Sequence, residues 1–168
     1  MRNVELKARC PDLEMVRARA ERLGAHYAGT FSQRDAFFVS GGPGRLKLRE
    51  ADDGPAELIA YRRADVTEAR SSDYDIYPVA DPDRLRAVLT AALGEAGVVE
   101  KRRRLYLLHR TRIHLDQVED LGSFVELEVV LREGESAESG HAVARQLMAL
   151  LGIADAQLVR GAYVDLKP

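Results

Sequence analysis

The sequence predicts an α+β protein in which three amphipathic helices pack on antiparallel strands, and three observations carry that reading. Three segments repeat apolar residues at helical spacing between a capping residue and a glycine. Several others alternate apolar and polar residues with a period of two, as strands covered on one face do. The strands come in runs between the helices, and that order suggests two similar halves with mostly antiparallel pairing.

The first strand, RNVELKAR, sets Asn3, Glu5, Lys7 and Arg9 on one face and Val4, Leu6 and Ala8 on the other. Pro11 and Asp12 start a helix whose stripe is Leu13, Val16, Ala20 and Leu23, and Gly24 stops it. AFFVS (36–40) and RLKLRE (45–50) follow as strands. GGPG at 41–44 lies between them as a hairpin turn, because no Gly-Lys-Ser/Thr follows and no helix begins there to cradle a phosphate. AELIAYRR (56–63) and SSDYDIY (71–77) are the next strands. A second helix has Asp81 as N-cap, Pro82 in its first position, Leu85, Val88, Leu89, Ala92 and Leu93 as its stripe, and Gly94 after it. The strands VVEKRRRLYLLHR (98–110), TRIHLDQV (111–118) and FVELEVVLRE (124–133) precede a third helix over 139–151, closed by Gly152.

Composition bounds the function. The 168 residues suit one domain, and 46% hydrophobic residues supply a core without any run long enough to span a membrane. Periodic structure from the first residues leaves no space for a signal peptide, and Cys10, the single cysteine, has no disulfide or zinc partner; both point to the cytoplasm. A net charge of −2 argues against general affinity for nucleic acid, and alternation divides EKRRR (100–104) between two faces. His26, His109, His114 and His141 show no zinc-site spacing. His114 shares a face with Asp116, where a structural hydrogen bond is the simpler role.

The polar strand faces carry the functional signal. Twenty-one of the 25 basic residues are arginine, yet three of the four lysines, Lys7, Lys47 and Lys101, lie on polar strand faces, in phase with Arg9, Arg49 and Arg103. Arg112, His114 and Asp116 share one such face, and Glu126 and Glu128 another. These faces turn either to solvent, as in an open sheet, or toward one another, as in a barrel. Lys and Arg suit phosphate oxygens, while clustered carboxylates call for a cation between them and, as oxygen donors, favour Mg²⁺ or Mn²⁺ over zinc.

Taken in order, NVELK, QRDAFFVSGGPGRLKLRE, AYRR, VEKRR, IHLDQVEDLGSFVELE and RGAYVDL resemble the CYTH superfamily, the triphosphate tunnel metalloenzymes that include class IV adenylate cyclases and thiamine triphosphatases. The resemblance runs from residue 3 to about 166, with IHLDQVEDLGSFVELE its most specific segment. It implies a single domain over 1–168, an α+β fold in which an eight-stranded antiparallel barrel forms a tunnel with a charged interior and helices outside. Glu5, Glu126 and Glu128 would bind Mg²⁺ or Mn²⁺, with Asp116 a further ligand or the carboxylate organising metal-bound water. Lys7, Arg9, Lys47, Arg49, Arg62, Lys101 and Arg103 would grip phosphates, and Asp116, Lys101 and Arg103 would be the catalytic set. The ligand would be a triphosphate or a related organic phosphate, handled by a monomer or homodimer. The implied activity is cyclisation or phosphohydrolysis, with a non-catalytic binding module or a tunnel turned to another organic phosphate as alternatives. The chain departs from the family pattern at Asn3, where a glutamate is usual, at Phe37, where tyrosine is common, and at Ala162, where serine is common.

Overall fold

The computed structural model describes residues 2–63 and 70–167. Eight antiparallel strands form a closed barrel: β1 (Arg2–Arg9), β2 (His26–Phe38), β3 (Arg45–Ala51), β4 (Ala56–Arg63), β5 (Arg70–Val79), β6 (Glu95–Leu108), β7 (Thr111–Val118) and β8 (Gly122–Val130). Around the wall the order is β1-β5-β4-β3-β2-β6-β7-β8. Closure settles the choice that alternation left open.

Three helices lie outside: α1 (Leu13–Arg22), α2 (Pro82–Leu93) and α3 (Ala137–Leu151). Their caps follow the sequence signals. Asp12 accepts from the amide of Met15 and Asp81 from that of Arg84, while Gly152 takes the left-handed conformation after α3. The main core sits between the barrel wall and the helices, not inside the barrel. Val4, Leu6, Ile113, Leu115, Leu127 and Val129 meet Leu13, Val16 and Ala20 of α1 and Ala144, Leu147 and Leu151 of α3. This arrangement explains β1, whose six central residues are all buried although they alternate in polarity. One face is covered by helices and the other by the barrel lumen.

Two expectations need correction. β2 starts ten residues earlier than AFFVS implied, because HYAGTFSQRD lacks strong alternation and pairs along β6 instead. The second helix buries less than its stripe suggests. Leu85 and Leu89 pack on Ala36, Phe38 and Leu48, but no residue of α2 is fully buried and Val88 is 57% exposed. The chain after α3 turns back across one end of the barrel. There Ala162 and Tyr163 join Phe37, Val99, Val118 and Phe124 in a small cluster, and 3₁₀ turns at Asp155–Gln157 and Tyr163–Leu166 shape the segment. Among the described residues, no helix is long and apolar enough to cross a membrane.

Candidate functional site

Strand register gathers the polar faces into rows. Across β1, β8 and β7, Lys7 stands beside Glu126 and Glu126 beside His114; the next row runs Glu5, Glu128, Arg112. Arg103 of β6 stands beside Asp116 of β7. On the opposite wall Asp35 of β2 faces Arg49 of β3, and Phe37 faces Lys47. All of these side chains except His114 and Asp116, which are buried behind the surface, line a cavity of about 150 Å³ within the barrel. Six basic side chains, Lys7, Lys47, Arg49, Lys101, Arg103 and Arg112, and four carboxylates, Glu5, Asp35, Glu126 and Glu128, are in its lining.

One wall is organised by a residue that sequence reasoning missed. Asp35 is 2% exposed and accepts from Lys47 Nζ at 2.9 Å, Lys101 Nζ at 2.9 Å and Arg49 through Nε at 2.7 Å and Nη2 at 2.9 Å. Burial pushes its carboxyl up, but Arg49, Lys101 and Lys47 outweigh burial and hold it well below the usual carboxylate range. Asp35 is in phase with Phe37, so the signal lay in QRDAFF and was lost with the misplaced start of β2. Burial and the neighbouring Arg49 push the Lys47 ammonium down to about 7 despite Asp35. Lys101 is lowered as well, chiefly by burial.

The other wall is mixed. Arg103 grips Asp116 with two hydrogen bonds, Nε to Oδ1 at 2.7 Å and Nη2 to Oδ2 at 2.6 Å, and reaches Glu126 Oε2 at 2.8 Å. Tyr163 donates its hydroxyl to the same Asp116 Oδ2 at 2.8 Å, and Lys7 Nζ lies 3.9 Å from the centre of the Tyr163 ring. Burial raises the Asp116 carboxyl, but Arg103 and then Lys101 pull it below its ordinary value. Glu126 behaves alike: burial raises it, and Lys7, His114 and Arg103 bring it well below. Arg112 sits 3.2 Å from Glu128.

His114, Glu126 and Glu128 bring one potential metal-ligand atom each to within 4.8 Å of one another. Glu5 is Glu128's neighbour on β1 and lines the cavity outside that group. Asp116, expected beside the metal, lies outside it too, committed to Arg103 and Tyr163. Asn3 lines the cavity at 4% exposure, beside Ser72 of β5, and its Oδ1 is buried without a hydrogen-bond partner.

Two expected phosphate contacts do not reach the cavity. Arg62 is exposed and one residue out of phase with Ile59 and Tyr61, the β4 side chains that do line it. Arg9 is in phase but lies past the closed end, where it donates to the carbonyl of Leu121 at 3.1 Å with its guanidinium 5.0 Å from the Phe124 ring centre. Tyr163, in RGAYVDL, is a second lumen residue that sequence reasoning misses. Its role depends on the last segment crossing the barrel end.

A family model described as the CYTH domain matches residues 1–163. Among solved structures, the fold is similar to the PH1012 protein from Pyrococcus horikoshii OT3, at a TM-score of 0.89 and 24% identity over 99% of each chain. It is also similar to a protein from Vibrio parahaemolyticus described as a candidate adenylate cyclase, at 0.77 and 16% identity over 98% of this chain and 96% of that one. HpAC1 from Hippeastrum, described as a candidate adenylyl cyclase with a dominant triphosphatase activity, aligns at 0.62 and 17% identity over 90% of this chain and 88% of the other. No curated protein sequence matches the chain.

Proposed function

The chain belongs to the CYTH family, and on that premise we propose that it is an enzyme acting on a triphosphate, held with a divalent cation inside the barrel. The observation that carries this reading is the division of the lumen into two walls. Lys47, Arg49 and Lys101 converge on the single carboxylate of Asp35, while Glu126 and Glu128 stand with His114 on the opposite wall. Asp35 occupies these cations much as a phosphate oxygen pair would, so a phosphoryl group finds its donors already assembled. Because carboxylates offset most of the basic charge, a bare polyanion meets little net attraction in the cavity. A polyanion carrying a cation is better matched to both walls.

The donor set suits such a cation. Glu126 and Glu128 would hold Mg²⁺ or Mn²⁺, and the unpartnered Oδ1 of Asn3 supplies a neutral oxygen in the same lumen. When bound, the ion stabilises the negative charge that develops as a phosphoryl bond breaks. The protein's own groups do the rest. Lys47, Arg49 and Lys101 align the phosphates, and Lys7 and Arg103 add positive charge at the far wall. Tyr163 covers the closed end against water. Cyclisation through a ribose hydroxyl and hydrolysis by water both fit this frame, and they differ in the nucleophile held in line.

A binding module without turnover is the second reading, favoured by the state of Asp116. A carboxylate gripped by Arg103 and Tyr163 and held below its usual range is a poor proton acceptor. Incubating the protein with ATP, tripolyphosphate and thiamine triphosphate, with Mg²⁺ or Mn²⁺, and following products by phosphorus NMR tests both. Cyclic nucleotide with pyrophosphate marks cyclisation, and orthophosphate marks hydrolysis. Bound but unchanged substrate establishes the module, and full turnover in excess chelator refutes metal dependence.

A further inference from the structure

His114 is the one member of the acidic wall that the carboxylate reading does not use. Its side chain is 5% exposed, and its Nδ1 is buried with no hydrogen-bond partner. The nitrogen stands 3.7 Å from Glu126 Oε2 and 3.8 Å from Glu128 Oε1, too far to bond to either. A buried ring nitrogen left without a partner between two carboxylates is costly. Two donors on one ion at about 2.1 Å stand about 3 Å apart when adjacent and about 4.2 Å when opposite, and both separations from Nδ1 fall in that interval.

We infer that His114 Nδ1 is a metal ligand, and that with Glu126 and Glu128 it forms a mixed nitrogen–oxygen site that takes a first-row transition ion such as Mn²⁺ in preference to Mg²⁺. The inference rests on the metal dependence proposed above and goes beyond it in naming the ligand and the selectivity. The backbone supports it. His114 and Glu126 are directly paired across β7 and β8, and Glu128 is two residues along on the same face, so the three donors stand on adjacent rigid strands. Leu105 of β6 flanks His114 on its other side, so the histidine has an apolar neighbour there and the carboxylates on the β8 side. The present partner of Glu128 can withdraw, since the Arg112 side chain is 37% exposed. Selectivity follows from chemistry. Mg²⁺ sheds water reluctantly and prefers oxygen, whereas imidazole nitrogen binds transition ions well.

The test is Mn²⁺ binding to the intact protein without any triphosphate, followed by electron paramagnetic resonance. Pulsed measurements on the bound ion should show coupling to a nitrogen nucleus that changes when histidine is isotopically labelled. The coupling should vanish in His114→Gln, with Mn²⁺ affinity falling about tenfold or more and Mg²⁺ affinity changing less. Because the wild-type spectrum alone is decisive, a variant that folds poorly does not remove the test. Bound Mn²⁺ without nitrogen coupling, or coupling that survives His114→Gln, overturns the inference and leaves metal dependence intact. Equal affinity for Mg²⁺ and Mn²⁺ overturns the selectivity. Failure to bind Mn²⁺ with or without tripolyphosphate overturns both this inference and the metal-dependent reading.

Discussion

Lys47 and Asp35 show how single residues in this lumen answer to one another. Lys47 is pushed down to about 7 from 10.5, so in the free protein it loses its proton near neutrality. Only the ammonium attracts phosphate, and triphosphate affinity should therefore fall as the pH rises. Between about pH 7.5 and about pH 9 the loss should be on the order of tenfold, and Lys47→Arg, which stays charged, should flatten the curve. Stability moves the other way. The unfolded chain holds the Lys47 proton up to 10.5 and the folded one only to about 7, so between those values the folded state gains as the pH rises. Calorimetric titration of the two proteins at several pH values checks the binding; a wild-type curve as flat as the variant's would show that Lys47 does not meet the ligand. Asp35→Ala should leave Lys47, Arg49 and Lys101 buried without their shared anion, at a cost of about 3–5 kcal/mol in urea unfolding. Tripolyphosphate should restore more stability to this variant than it adds to the wild type.

At the scale of elements, the fit of α3 to the barrel depends on Gly140. A Cβ at that position would lie 2.7 Å from Val4 Cγ2 and 2.8 Å from Leu131 Cδ2, so the helix approaches β1 as closely as the absent side chain allows. Gly140→Val should cost about 1–3 kcal/mol through overpacking, read as a lower urea midpoint. An unchanged midpoint would mean that α3 can shift away from β1 freely. The sequence placed this helix and its stop at Gly152, because caps and periodicity are local signals. It did not reveal Gly140, since a glycine inside a helix shows its purpose only when the neighbouring strand is present. β2 carries the same lesson. Its first ten residues pair with β6, a partner some seventy residues away, and nothing local announces that contact.

Over the whole molecule, the cavity exists because one end of the barrel is covered by the returning chain. Tyr163 binds Asp116, its ring meets Phe124 at a centroid distance of 4.9 Å, and Asp165 pairs with Arg45 at 2.8 Å. Tyr163→Ala should destabilise the protein by about 3–5 kcal/mol, the usual cost of emptying a buried aromatic site. It should also speed hydrogen exchange in the strand ends around Phe37, Val99 and Phe124. If exchange there is unaffected while overall stability falls, the segment contributes packing without closing the barrel.

Alternation by itself determined which side chains share a strand face, since successive residues on a strand point to opposite sides whatever the strand pairs with. It put Lys7, Lys47, Arg49, Lys101 and Arg103 on polar faces, together with Glu5, Glu126 and Glu128, and all of these line the cavity. The conformational signals of aspartate, proline and glycine determined where the helices begin and end. Tertiary structure decided which polar faces meet. Pairing of β2 with β3 on one side and β6 on the other joined Asp35 to three cations from those two strands, and the stagger of β7 against β8 set His114 beside Glu126 while Asp116 went to Arg103. Those pairings depend on register between segments far apart in the chain. A period of two fixes the face of a residue but says nothing about which residue stands opposite.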